Sequence, residues 1–284
     1  MAFDVGYFRR AWANQAVTDN LLTAAADYTS FDMTVPSDAK LTNGGGYTLT
    51  GFVNVNPALF GQVRNYNTLD YKYGDGIKEH FNGVDINVNA RLQNGLNFQG
   101  GVSTGKTTND NCDVIAQLPE MQDGGANGWQ SAQFCKNETP WQTSVKMFGT
   151  YTLPKVDVQI SGTFRNVDGN SINAILTANN AYVAANSTLG RALAGNQSVN
   201  LQLLDPSAKY LDRRNELDMR FGKVIRFGQA RSVISWDLFN ALNNDAVLTA
   251  NSSFGATNAA DPSKWRPTSI LNARVMKLSV SFDF

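Results

Sequence analysis

No stretch of the 284 residues holds the roughly eighteen consecutive apolar residues that a membrane-crossing helix needs. Histidine occurs once, at His80, and cysteine twice, at Cys112 and Cys135, with neither cysteine at CxxC spacing from another. That scarcity argues against a zinc centre. GxSxG, HExxH and the phosphate-loop pattern are all missing, so no nucleophile, metalloprotease pair or phosphate cradle is indicated. Gly44, Gly45 and Gly46 precede no helix signal and read as a flexible loop rather than an anion site. Lys+Arg and Asp+Glu are equal at 24 each, so no basic field draws in nucleic acid. Charged residues are only 17% of the chain, against about 25% in ordinary soluble domains. The start, MAFDVGYFRR, lacks the basic region and apolar core of a signal peptide. Met1 is therefore expected to open a fragment rather than a complete precursor. No catalytic, cofactor-binding or metal-binding residue is expected, and no enzymatic activity.

What the chain has is alternation. From Met276 to Phe284 every second residue is apolar: Met276, Leu278, Val280, Phe282 and Phe284, separated by Lys277, Ser279, Ser281 and Asp283. Period two is the mark of a strand with one apolar and one polar face. The pattern recurs in Phe3, Val5 and Tyr7, in Val84 to Ala90, and in Leu96 to Val102. It continues in Trp141 to Leu153, with Phe148 out of phase, and in Val156 to Phe164. Two more strands are expected at about Leu211–Phe227 and Ile234–Leu238, which makes eight with the last. In the final strand Asn272 and Arg274 break the phase above Met276. Either Ile270–Val275 rises beyond an apolar band that Met276–Phe284 crosses, or a bulge near Val275 swaps the faces.

Short turns alternate with long connections. The turns are Asn94–Gly95, Pro154–Lys155 and Gly228–Gln229; Asn-Gly between alternating runs is a strong hairpin signal. The long connections are residues 11–76, 107–140, 166–209 and 243–267. The first reads as irregular, and residues 171–193, rich in Ala and Asn, read as a short helix or an extra hairpin. Cys112 and Cys135 share one polar connection, which points to a disulfide and an oxidising compartment.

Short turns at one end and long loops at the other are the asymmetry of an outer-membrane β-barrel. The polar faces carry Asp85, Asn87, Arg91, Asp157, Arg165, Asp218 and Arg220, each of which would need a partner in a dry core. The fold class expected is all-β: one antiparallel transmembrane β-barrel segment of about eight strands, residues 1–284 forming a single partial barrel domain. An antiparallel sheet with one wet face in a secreted binding module also alternates.

Five stretches resemble the C-terminal barrel region of TonB-dependent outer-membrane receptors, closest to the Oar-like group with a carboxypeptidase-regulatory-like domain. They are VGYFRRAW (Val5–Trp12), NGVDINVNARLQNGLNFQGGVSTGKT (Asn82–Thr107), NELDMRFGKVIRFG (Asn215–Gly228), SWDLFNALN (Ser235–Asn243) and WRPTSILNARVMKLSVSFDF (Trp265–Phe284). The resemblance implies location in the bacterial outer membrane and lipid around the apolar face. It also implies an extracellular ligand, and coupling to the TonB energy complex through an N-terminal plug that this sequence lacks. About twenty-two strands are the rule in that family, so these eight would be the last third of a receptor. Phe282 and Phe284, in a C-terminal strand ending in Phe, would be the signal read by the barrel-assembly machinery. A self-contained eight-stranded barrel, adhesive or structural, is the alternative.

Of the aromatic residues, Trp129, Trp141, Trp236, Trp265, Tyr151, Phe227 and Phe282 are candidates for the girdle at the membrane boundary. Trp129, in the cysteine loop, is also the candidate ligand contact. His80 reads as a loop or girdle residue. Asp110, Asp113, Asp123, Asp168 and Asp261 are scattered loop carboxylates without the spacing of a calcium site.

Overall fold

The computed structural model describes residues 1–92, 95–122, 128–228, 230–255 and 264–283. Asn94, Asp123, Gln229, Asp261 and Phe284, each singled out above, lie outside the described residues. The protein is mostly β. Its principal sheet has eight long strands: β1 (Ala2–Trp12), β2 (Lys78–Arg91), β3 (Leu96–Asp110), β4 (Gln142–Leu153), β5 (Val158–Val167), β6 (Arg214–Phe227), β7 (Ala230–Phe239) and β8 (Val275–Asp283). Each pairs antiparallel with its neighbour in sequence, so the spatial order is the chain order. A short ninth strand, Lys136–Glu138, pairs with the far end of β3. Strands β1 and β8 are the two edges and do not pair with each other, so the sheet is open.

The alternation in the sequence is matched across every ladder. Val5 stands opposite Ile86, Ile86 opposite Val102, and Val102 opposite Val145. Met147 meets Phe164, and Phe164 meets Leu217. Phe221 meets Trp236, which meets Leu278. Directly opposed residues of an antiparallel pair lie on the same face, so these side chains form one apolar surface across eight strands. Thr and Ser pair on the same principle: Thr104 Oγ1 lies 2.8 Å from Thr143 Oγ1, and on the polar face Ser235 Oγ lies 2.8 Å from Ser279 Oγ.

The turn after β4 is longer than the Pro154–Lys155 pair, and β5 begins at Val158 rather than Val156. Lys155 and Asp157 take left-handed backbone conformations, at φ 75° and 49°. Asp157 accepts at its main-chain oxygen from Val224 N (2.9 Å) and at its carboxylate from Arg226 (2.7 Å), which folds the turn back onto β6. Strand β7 starts earlier than the alternation indicated, and β3 runs on to Asp110.

The last strand begins at Val275, five residues later than the alternation indicated, and without a bulge. Residues 271–274 are not strand, and Pro267–Ile270 pairs with Val247–Ala250, away from the principal sheet. Asn240, buried and left-handed at φ 48°, donates its amide to Asn244 O (2.9 Å) and Asn272 O (2.8 Å). Asn243 accepts from Arg274 N at 3.1 Å. Side-chain amides thus take main-chain partners that a ladder would have used, and the broken phase above Met276 marks the chain entering β8 rather than a bulge.

The long connections are not irregular. Residues 13–77 hold two antiparallel ladders, Ala16–Asn20 with Asn65–Leu69 and Tyr28–Thr34 with Thr48–Val55. Gly45 closes a tight turn at φ 74°, where a Cβ would lie 2.1 Å from Pro36 O, so the middle glycine of the run is packed. Residues 168–213 carry both a hairpin, Ile175–Ala178 with Val199–Gln202, and a short helix, Asn180–Asn186. These connections share one hydrophobic core: Phe31, Met33, Leu49 and Phe52 from the first, Leu176, Val183, Leu201 and Leu203 from the third, and Phe254 from the fourth. Trp129 and Phe134 of the second pack against it. The buried core of the molecule lies in this cap, while the sheet leaves its apolar face bare.

Phe52 is fully buried at the cap centre, against Phe31 at 5.7 Å between ring centroids. Phe52→Ala is expected to cost the cap about 3–5 kcal/mol. Hydrogen exchange should accelerate through residues 28–55 and 174–204 while the β2–β7 ladders keep their protection.

Candidate functional site

Two surfaces carry chemistry. The first is the polar face of the sheet. Asp4 of β1, Asp85 and Asn87 of β2, Gln99 of β3, Lys146 of β4 and Arg165 of β5 line a common cavity of about 510 Å³. One cavity shared by five adjacent strands requires the sheet to curl toward its polar side. Acids and bases are interleaved there. Arg220 reaches Asp237 through two hydrogen bonds, 2.5 and 2.9 Å, with the Asp237 carboxylate almost wholly covered. Arg165 lies 3.6 Å from Glu216, and Asp85 accepts from Ser103 Oγ at 2.5 Å. Such a wall is wettable without a field of one sign.

Phe148, the residue out of phase in β4, sits on this polar face between Gln99 and Thr163. Phe8 and Phe81 share the face: Phe8 is opposite Gly83 in the ladder, and Phe81 lies across Gly83 and Gly105.

The second surface is the cap, whose loops are tied by polar locks. Lys264 and Asp38, 226 residues apart in sequence, form a fully buried ion pair at 2.8 Å. Burial alone would push the Asp38 carboxyl up, but the Lys264 hydrogen bond, the Lys40 amide and the charges of Lys264 and Lys40 outweigh it. The carboxyl is held below its ordinary value. Lys209 stacks over Trp265 at 4.0 Å, and burial lowers its affinity for a proton. Arg191 reaches from the third loop into the first, donating to Asn54 Oδ1 (2.6 Å), Asn54 O (3.1 Å) and Val55 O (3.1 Å). Tyr47 OH donates to Leu203 O at 2.8 Å.

The residues named from sequence scatter between the surfaces. Cys112 and Cys135 are disulfide-bonded, Cα to Cα 4.8 Å. They join the start of the helix Cys112–Gln117 to the short strand beside β3. Phe282 is exposed on the apolar face of the edge strand β8. Trp141, Trp236 and Phe227 are exposed, with Trp236 stacked on Phe221; Tyr151 is half-buried on the apolar face. Trp265 is no girdle residue: it packs in the cap against Phe254 and donates its indole N–H to Asn173 O at 2.9 Å. Trp129 is likewise in the cap, lining a cleft. His80 lies within β2, opposite Ala11 and Thr108. Asp110 pairs with Lys136 and Asp168 with Arg213, while Asp113 accepts from Asp75 N at 2.9 Å. Sequence reasoning missed the cap core. Its signal was present in Phe31, Met33 and Val35, which alternate with Asp32 and Thr34. Trp12, exposed at the end of β1 on the face it shares with Phe8 and with Arg10 at 5.8 Å, was not singled out.

Compared with protein-family models and with curated proteins, the chain matches none.

Because Asp38 is held below its ordinary value in the folded cap, the unfolded chain takes up that proton first. The contribution is complete at neutral pH and drains as pH falls below the ordinary aspartate range, about 3.9. Limited proteolysis should cut the cap more readily as pH is lowered below about 3.9 than at pH 7. Asp38→Asn should weaken the cap by about 3–5 kcal/mol at neutral pH, since Lys264 is left charged and buried, and should flatten the acid response.

Proposed function

We propose that the chain is the C-terminal part of a TonB-dependent outer-membrane receptor barrel, which takes up or passes a bulky ligand with energy from the inner membrane. The observation that carries the membrane part is the bare apolar face. Leu278 is 78% exposed, Phe3 63%, and away from the edges Ile234 45% and Met147 40%. Each such side chain would gain up to roughly 1.5–3 kcal/mol on full burial, in proportion to the area still open. Lipid against this face supplies that gain, and a hydrated lumen against the other accepts Asp85, Lys146 and Arg165.

The receptor part rests on the resemblance of five sequence stretches, chiefly those ending β6, in β7 and in β8. The open sheet supports a larger barrel over a self-contained eight-stranded one. Both edges present unpaired main-chain groups that, in lipid, need further strands. In this reading the short turns face the periplasm, the cap faces outward, and Phe282 belongs to the strand that the assembly machinery reads. The TonB complex would act through a plug in another segment. No enzymatic step, cofactor or nucleic acid enters.

Leu278→Lys and Ser281→Lys test the two faces of one strand. In lipid, Leu278→Lys is expected to cost about 2–4 kcal/mol near the midplane, while Ser281→Lys, on the polar face, should cost under 1 kcal/mol. Reversible unfolding in phospholipid vesicles reads both. Equal costs, or a monomer stable in plain buffer, would sink the membrane reading.

A further inference from the structure

The cleft that Trp129 lines is a second site, separate from the polar face of the sheet. It encloses about 760 Å³, within the range of small-ligand sites. Three loops build it, and each contributes one or more rings or polar groups. Tyr28 and Phe60 come from the first, Glu120 and Trp129 from the second, and Gln197 and Ser198 from the third.

Its walls are fixed before any ligand arrives. Phe60 lies flat against Gly195, where a Cβ would come within 2.2 Å of the ring, and Gly195 sits at φ 69°. Trp129 is held at both main-chain groups, its N–H donating to Asn200 O (2.7 Å) and its carbonyl accepting from Gln202 N (2.8 Å). Asn20 spends its side chain on the wall, donating to Gln62 O at 2.9 Å and accepting from Arg64 N at 2.8 Å. A main chain held in this way has little left to be ordered on binding.

The lining selects by charge. Among the described residues it contains no Lys, Arg or His and one carboxylate, Glu120, which accepts from Asn20 N at 3.0 Å. The guanidinium of Arg191, behind the lining residues Asn54 and Val55, is already spent on their oxygens, so a phosphate, sulfate or carboxylate ligand would find no cation in the lining itself. The remaining polar groups are amides and hydroxyls. A side-chain amide offers a donor and an acceptor side by side, a match for two adjacent hydroxyls, and aromatic faces suit the C–H faces of sugar rings. The cavity on the sheet is different, with Asp4, Asp85, Lys146 and Arg165 in its wall.

We propose that this cap cleft binds a neutral oligosaccharide, with Trp129 and Phe60 as stacking platforms and Gln197 and Ser198 as rim hydrogen-bonding groups. The proposal goes beyond the receptor reading and does not rest on it, because the cleft is formed by the loops alone.

The full chain, folded in detergent and fluorescently labelled, can be applied to an array of neutral and acidic glycans. Retention on a subset of neutral glycans is expected. Trp129→Ala should lower it at least tenfold and Gln197→Ala, on the exposed rim, several-fold. Circular dichroism and protease resistance of the cap identify a variant that has failed to fold, and Gln197→Ala then carries the test. Retention only on acidic glycans, no retention on neutral glycans by the folded protein, or retention unchanged in the folded variants would overturn the proposal. So would equal competition by a mixture of uncharged peptides, which would make the cleft a peptide site. Loss of glycan binding leaves the Leu278 and Ser281 comparison untouched, so the two readings fail separately.

Discussion

Pairing in the principal sheet mostly sets apolar residues opposite apolar residues, with Ser232 between Ile225 and Phe282 an exception, and a slip of one position in any strand would turn its whole apolar set to the polar side. The ion pair of Arg220 with Asp237 exists only in the register that also sets Phe221 beside Trp236. The Asp157 turn, tied to Val224 and Arg226, helps pin β5 against β6 in that register. Contacts on the two faces therefore specify the same alignment, which is what consistency between local pattern and global fold requires.

That redundancy explains why the strands were legible. Period-two alternation fixes both the existence of a strand and its two faces, and all eight were found, with ends displaced by as much as six residues at the start of β2 and eight at the end of β3. The errors have a local cause. Alternation says nothing about left-handed residues such as Lys155 and Asp157, or about an asparagine such as Asn240 that captures the main chain above β8. The cap was far less legible, because its contacts span great separations in sequence. Tyr47 meets Leu203 and Lys264 meets Asp38 across 156 and 226 residues. Trp265 was misplaced because tryptophan serves equally at a membrane boundary and in a half-buried core; only the partners Phe254 and Lys209 distinguish the two.

The cap solves a problem that its loops could not solve separately. Small chains bury too little surface to fold with much margin, and the buried apolar residues here are spread over several connections. Pooling Phe52, Leu176, Leu203 and Phe254 gives one core to which several connections contribute. The cost of this arrangement is interdependence: removing any contributor exposes apolar surface on the others. The buried pair of Lys264 and Asp38 adds specificity more than stability, since a buried pair about offsets its own desolvation. A loop arriving out of place would leave one charge buried without its partner.

Aromatic residues on the polar face follow from the same logic of space. A Cβ at Gly83 or Gly105 would come within 2.6 or 2.3 Å of the Phe81 ring. Glycine at both positions lets the ring lie flat over two paired strands instead of standing into the cavity. It then covers main-chain groups of β2 and β3 where the wall is otherwise wet, and excludes water that would compete for their hydrogen bonds. Glycine in a strand ordinarily weakens it. Here the lost side-chain packing is replaced by a neighbour's ring, so the weakness falls on the pair only if Phe81 is removed.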